Sequence, residues 1–133
     1  MITQKEILRL ARERDACEQG LAWYSQRPKS ALLTWEALEK GYFLWVAENV
    51  PEAIPYLQTL PEELKEKSLR SPKYFIRLSM ACIGYRLDVL KDDPYHEVRR
   101  EVSKHGYALE QLKDDPHEYV RKAARDTLKE MKQ

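Results

Sequence analysis

The second half of the chain repeats itself every 22 residues, and this repeat narrows the fold more than any other feature. The segment Leu-Lys-Asp-Asp-Pro at 90–94 recurs at 112–116, and Val98-Arg99 recurs as Val120-Arg121. One period earlier, Pro72 and Ile76-Arg77 hold the equivalent places. The pattern predicts three units, at 68–89, 90–111 and 112–133.

Each unit carries the signals of a tight turn, a longer helix and a short helix. Asp93-Pro94 and Asp115-Pro116 predict that the aspartate caps the longer helix and that the proline takes its first position. Gly84 and Gly106 predict where that helix ends, because glycine accepts the left-handed conformation at little cost. A short helical turn with two leucines follows each glycine.

The apolar residues of each longer helix are spaced i, i+4, i+7, which predicts a single buried stripe. The stripes are Ile76, Met80 and Ile83; Val98, Val102 and His105; and Val120, Ala124 and Thr127. One unit is too small to bury both of its faces, so the units are expected to stack. The sequence therefore predicts an all-α fold containing a short right-handed α-solenoid.

The unit Gly-Tyr-x-Leu-x-x-Leu, at 84–90, followed by Asp93 and by Val98-Arg99, resembles the short HEAT-like, leucine-rich-variant repeats of bacteria and bacteriophages. The resemblance covers about half of the chain. It implies the fold rather than one function, because such repeats serve many unrelated partners. The first unit departs from the pattern, since Ser71 stands where the later units have Asp.

Residues 1–67 are predicted to form a Trp-rich helical cap that joins the repeats in one cooperative domain. Thr3 with Glu6, and Asp15 with Glu18, have the spacing of capping boxes, and whether they open one helix or two is left open. Part of this segment also resembles a prokaryotic and phage module with no known activity. The expected core of the cap contains Trp23, Trp35 and Trp45.

Composition favours a cytoplasmic protein. The net charge is +1, and the apolar runs are far shorter than the roughly 20 residues that a membrane-spanning helix needs. The N-terminus lacks the apolar core of a secretory signal. The two cysteines, Cys17 and Cys82, lack disulfide or metal-ligand spacing, so both are predicted to be small core residues.

An enzyme is the least favoured class. Cys17 could act as a nucleophile with His96, His105 or His117 as its base, but no catalytic signature surrounds it. The histidines lack the spacing of a metal site, and the chain has no glycine-rich phosphate loop. We therefore expect no catalytic residues, no metal and no cofactor.

The repeated arginines allow two interpretations. Arg77, Arg99 and Arg121 are expected to form a column that either binds phosphates or an acidic partner, or pairs with Asp93 and Asp115 in a structural ladder. The ladder is the favoured interpretation. Residues 68–133 contain 14 Lys and Arg against 11 Asp and Glu, an excess too small to favour nucleic-acid binding.

Tyrosine and arginine together are typical of interface hot spots, and they define the predicted contact surface. The alternative is that the tyrosines shield the seams between units. The surface comprises Tyr95, Arg99, Arg100, Tyr119, Arg121 and Arg125.

The sequence thus predicts a non-enzymatic protein-binding scaffold or inhibitor that acts by covering a site on its partner. The resemblance to phage proteins implies a more specific form of this prediction, an anti-defence role of the anti-CRISPR kind. A nucleic-acid-binding solenoid that uses the arginine column is the alternative. The partner's identity, the oligomeric state and the host are not predicted.

Overall fold

The chain is all-helical in a computed structural model that describes residues 2–28 and 30–132. The helices described before residue 70 are α1 (Gln4–Glu13), α2 (Glu18–Ser25), α3 (Trp35–Glu39), α4 (Tyr42–Asn49), α5 (Ile54–Leu57) and α6 (Glu62–Leu69). Those described after it are α7 (Tyr74–Cys82), α8 (Leu87–Leu90), α9 (His96–Lys104), α10 (Leu109–Leu112) and α11 (Glu118–Met131). Among these described helices, none combines the length and apolar character that crossing a membrane requires.

The longer helices pack against one another in chain order. Helix α4 contacts α7, α7 contacts α9, and α9 contacts α11. The short helix α8 touches α7 and α9, and α10 touches α9 and α11 in the same way. Successive units therefore contribute equivalent helices to equivalent contacts, and α4 joins the cap to the first of them.

The predicted stripe is confirmed at its first two positions in every unit. The fully buried residues at these positions are Ile76, Met80, Val98, Val102, Val120 and Ala124. The third position is wrong for His105, which is exposed, and Thr127 is half-buried. Ile83, the equivalent capping residue after α7, is buried, so the difference lies in the side chain: the polar imidazole of His105 stays at the surface, 4.0 Å from Glu101.

The glycine turns are as predicted. Gly84 and Gly106 both have φ of 77°, in the left-handed region that a side chain disfavours. Arg86 and Ala108 follow with φ of 49° and 55°, and each immediately precedes a short helix. The turn is thus built the same way in both units.

The predicted starts of the longer helices are wrong by two residues. Tyr95 rather than Asp93 caps α9, and His117 rather than Asp115 caps α11. The Asp93 carboxylate accepts a hydrogen bond from the Tyr95 amide (2.9 Å), and this local turn precedes the helix. The proline therefore lies inside the turn and not at the first helical position.

The N-terminal segment forms two helices where the sequence left one or two open. Thr3 caps α1 as predicted, its hydroxyl accepting from the Glu6 amide (3.2 Å). The second predicted cap is wrong, because Asp15 adopts a left-handed φ of 65° and Cys17 caps α2 instead.

The tryptophans of the cap are buried to different degrees. Trp23 is buried, its indole N–H donates to the Glu36 carboxylate (2.6 Å), and the Arg27 guanidinium lies over its ring at 4.5 Å. Trp35 and Trp45 are half-buried and pack against the core. The expected tryptophan core therefore holds fully for Trp23 and in part for the other two.

We predict that Ile76→Ala lowers the free energy of unfolding by about 2–5 kcal/mol, because it opens a cavity at a fully buried position of α7. Val89→Ala is the control, since Val89 is 45% exposed, and it should change stability by less than about 0.5 kcal/mol. Urea denaturation of both variants measures the difference. Equal effects would show that Ile76 does not have the core role assigned to it.

Candidate functional site

Buried ion pairs join each unit to the next. Arg77 donates to both carboxylate oxygens of Asp93, from Nε at 2.7 Å and from Nη2 at 3.2 Å. Arg99 donates to Asp115 in the same way, at 2.8 Å and 3.0 Å. Both aspartates are buried, at 7% and 6% exposure. The structural ladder predicted from the sequence is confirmed for these two pairs.

The third donor of each arginine holds the turn of its own unit. Nη1 of Arg77, Arg99 and Arg121 donates to the carbonyl of the residue six positions earlier, in each case at 2.8 Å. In the first unit that residue is Ser71, whose hydroxyl accepts from the Lys73 amide (3.1 Å). Ser71 therefore keeps the local turn and lacks the carboxylate.

The environment of Asp115 favours its charged form. Burial opposes the negative charge, but hydrogen bonds from the Arg99 guanidinium and the His117 amide (2.9 Å) outweigh burial. Together they hold the pKa of this carboxyl below its ordinary value. Asp115 is thus ionised at neutral pH.

Arg121 repeats the arginine position without a carboxylate partner among the described residues. Its Nη1 donates to the carbonyls of Asp115 (2.8 Å) and Pro116 (3.0 Å). The edge formed by Nε and Nη2, which binds aspartate in the two earlier units, makes no ion pair within residues 2–28 and 30–132. The side chain is half-buried.

A row of aromatic rings crosses the starts of α7, α9 and α11. Tyr74 stacks on Tyr95 with 4.0 Å between ring centroids, and His96 stacks on His117 at 3.8 Å with an interplanar angle of 2°. Tyr95 and His96 are 5.2 Å apart and nearly parallel. Tyr119 ends the row, tilted by 54° against His117 at 5.1 Å. We call these five residues the aromatic row.

The repeat explains this row. Residues 74 and 96 are equivalent, as are residues 95 and 117, so both close stacks join the first helical residue of one unit to the capping residue of the next. The sequence analysis did not predict that these rings stack. Aligning the aromatic residues on the 22-residue period would have indicated it.

A groove of about 350 Å³ lies beside the row, between α9 and α11. Its charges are mixed, because Arg100, Lys104 and Lys122 line it together with Asp126 and Glu130. Lys122 already pairs with Asp126 at 2.7 Å. Tyr119 also lines the groove and is 57% exposed, which connects the groove to the end of the row.

The structure divides the six residues of the predicted contact surface among four places. Tyr95 and Tyr119 belong to the aromatic row, and Arg100 lines the groove. Nε, Nη1 and Nη2 of Arg99 all donate hydrogen bonds within the chain, whereas the Nε and Nη2 edge of Arg121 makes no ion pair with the described residues. Arg125 lies 3.7 Å from Asp114, at an exposed ion pair.

The prediction that Cys17 is a core residue is wrong. The residue is exposed, and its thiol accepts a hydrogen bond from the Gly20 amide (3.3 Å) at the start of α2. It lines a mostly apolar cleft of about 360 Å³, together with Leu21, Tyr42 and other residues of the cap. Cys82 is buried as predicted, and its thiol contacts Glu101 at 3.7 Å.

The histidines take structural places in the repeats. His96 and His117 belong to the aromatic row, and His105 lies 4.0 Å from Glu101. In the part of the chain that the structure describes, no three side chains of His, Cys, Asp or Glu are grouped so that they could hold a metal ion.

Comparisons with known proteins assign no function, so any inference about function rests on the geometry described above. No protein-family model, curated protein or solved structure matches the chain. The candidate site is therefore the edge of the repeats that carries the aromatic row, the groove and Arg121.

We predict that Arg99→Ala lowers the free energy of unfolding by about 3–5 kcal/mol, because it leaves the Asp115 charge buried without its cation. Among the described residues, Arg121→Ala removes only hydrogen bonds to backbone carbonyls, and it should cost about 1–2 kcal/mol. Chemical denaturation of the two variants compares them. Equal losses of stability in the two variants would show that the Arg99–Asp115 ion pair stabilises the fold no more than the hydrogen bonds of Arg121 do.

We predict that one of the two thiols of the folded chain reacts quickly with a chromogenic disulfide reagent. Cys17 is exposed, whereas burial and the neighbouring Glu101 raise the pKa of the Cys82 thiol. Cys17→Ser should abolish the fast phase, and Cys82→Ser should preserve it. Fast labelling of Cys82 in the native Cys17→Ser variant would contradict the burial of Cys82.

Proposed function

We propose that this protein is a non-enzymatic protein-binding scaffold in which three HEAT-like units form a short α-solenoid behind a helical cap. The solenoid is supported by the equivalent burial of Ile76, Val98 and Val120. It is also supported by the ion pairs that run from each unit to the next, Arg77 to Asp93 and Arg99 to Asp115. In such a stack the outer edge, rather than a reactive pocket, carries the function.

The observation that carries this proposal is the exposure of Tyr119 at the end of the aromatic row. Its side chain is 57% exposed and stands between the row and the groove that contains Arg100. Tyrosine and arginine are enriched among the residues that dominate binding energy in protein interfaces. The edge therefore offers an anchor of the type that protein partners use.

The edge is also held in place before any partner arrives. Stacking fixes the rings of Tyr95, His96 and His117, and the ion pairs fix the turns that carry them. Side chains already ordered in the free protein lose less conformational entropy when a partner binds. A rigid edge of this kind can cover a site on a larger protein.

Nucleic-acid binding by the arginine column has less support. The guanidinium groups of Arg77 and Arg99 are engaged within the chain, and acidic residues alternate with the basic ones in the groove. The inner rings of the aromatic row lie against one another, so their faces are not free to stack on bases. A protein partner fits this edge better.

An inhibitory or anti-defence role belongs to this proposal as a specific form of it. Its support is the resemblance of the repeat unit to those of phage proteins. Covering a partner's active site would be its physical mechanism.

We predict that proteins captured from a bacterial lysate by the immobilised chain are lost with Tyr119→Ala and retained with Tyr107→Ala. Tyr107 is a matched control, because it is also an exposed tyrosine, at 40%, and follows the turn after α9. Mass spectrometry identifies the proteins that differ between the two variants. Capture unaffected by Tyr119→Ala would refute the proposed edge.

A salt titration distinguishes the nucleic-acid-binding alternative from the proposed protein-binding function. Fluorescent single-stranded and duplex oligonucleotides are mixed with the chain at low salt, and binding is followed by anisotropy. We expect no oligonucleotide binding at micromolar protein concentrations. Steep salt-dependent binding that is weakened by Arg121→Ala would favour the nucleic-acid alternative instead.

A further inference from the structure

The chain contains three equivalent arginines, and the third differs from the others in one respect. Arg77 and Arg99 each use Nη1 to hold their own turn, and Nε with Nη2 to bind the aspartate of the following unit. Arg121 makes the same Nη1 contact. Among the described residues, no carboxylate occupies its Nε and Nη2 edge.

We propose that Arg121 binds an aspartate carboxylate of a partner protein, in the way that Arg77 binds Asp93 and Arg99 binds Asp115. The partner would present this aspartate in a tight turn, because the two examples within the chain are Asp-Pro turns. This inference rests on the proposed function and names the partner chemistry for it.

The geometry favours this ligand because the guanidinium is already oriented. Hydrogen bonds to the carbonyls of Asp115 and Pro116 hold the Arg121 guanidinium beside the start of α11. Its planar fork matches the two oxygens of a carboxylate. Tyr119, the exposed end of the aromatic row, lies at the same end of this helix. A partner loop can therefore use both residues.

The surrounding charge favours a carboxylate over a phosphate group. Glu118 precedes Arg121 by one helical turn, so the two side chains are neighbours on the helix surface. Its negative charge opposes a dianion more strongly than a monoanion. A singly charged aspartate therefore suits this position better than a phosphate.

A second copy of this chain is a poorer occupant. The aspartates with the matching turn, Asp93 and Asp115, are buried in the ladder. The first unit has Ser71 in their place, so a copy stacked with its first unit against Arg121 would present no carboxylate there. The partner is therefore expected to be a different protein.

The test uses the full chain labelled with ¹⁵N and a synthetic peptide with the sequence of residues 90–96, Leu-Lys-Asp-Asp-Pro-Tyr-His. NMR follows the Nε–H resonance of Arg121 during titration. We expect a saturable shift of this resonance. The same peptide with Asp93→Asn should bind about tenfold more weakly, because it loses the charge and one acceptor oxygen.

Two variants of the protein complete this design. Arg121→Lys keeps the charge and removes the planar fork, so it should weaken the peptide about tenfold. Lys129→Arg is the matched control, because Lys129 is an exposed basic residue of the same helix outside the contact surface, and it should leave peptide binding unchanged. Thermal melts first establish that both variants are folded.

Four results would overturn the inference. They are equal binding of the Asp and Asn peptides, the absence of a shift at Arg121 Nε–H, saturation by inorganic phosphate at lower concentration than by acetate, and self-association of the chain that Arg121→Lys abolishes. Lysate capture separates this failure from that of the proposed function. Loss of capture with Tyr119→Ala but not with Arg121→Lys leaves the scaffold in place and refutes the carboxylate site.

Discussion

The buried pair between an arginine of one unit and an aspartate of the next is the interaction on which the repeat segment depends. Removing both charges from water is costly, and the cost is offset only when the partners are fully hydrogen-bonded. Asp115 meets this condition with two hydrogen bonds from Arg99 and one from the His117 amide. Because these bonds are directional, the pair fixes the position of one unit on the next as well as joining them.

The ladder also determines what the outer edge displays. The Asp93 and Asp115 turns place Tyr95 and His117 at the caps of α9 and α11. The ring at each cap then meets the ring that begins the preceding longer helix. The ion pairs and the mostly half-buried aromatic row thus share one cause, and a change in the ladder is expected to disturb both.

The sequence predicts well the features that recur with the 22-residue period. It predicts poorly the features that depend on the conformation of a local turn. Val98 and Arg99 were placed correctly, because equivalent positions in successive units have equivalent surroundings. His105 was not, because its polar imidazole stays at the surface, whereas the apolar Ile83 at the equivalent position is buried. Cys17 was misplaced because the left-handed turn at Asp15 does not follow from capping patterns. The unpaired Nε and Nη2 edge of Arg121 could be found only from the structure of the described residues, because the sequence does not show which guanidinium nitrogens already donate hydrogen bonds.

An arginine at the end of such a ladder can bind a carboxylate more readily than an isolated surface arginine. An isolated side chain must give up rotamer freedom to form a bidentate pair, which leaves many surface ion pairs with little net stability. Arg121 is already held through Nη1 by the Asp115 and Pro116 carbonyls, so this entropy is lost on folding rather than on binding. The residue is half-buried, and a guanidinium is more weakly hydrated than an ammonium group, which lowers the cost of displacing water. The contacts that stabilise the turn of the third unit therefore also prepare its arginine for a partner.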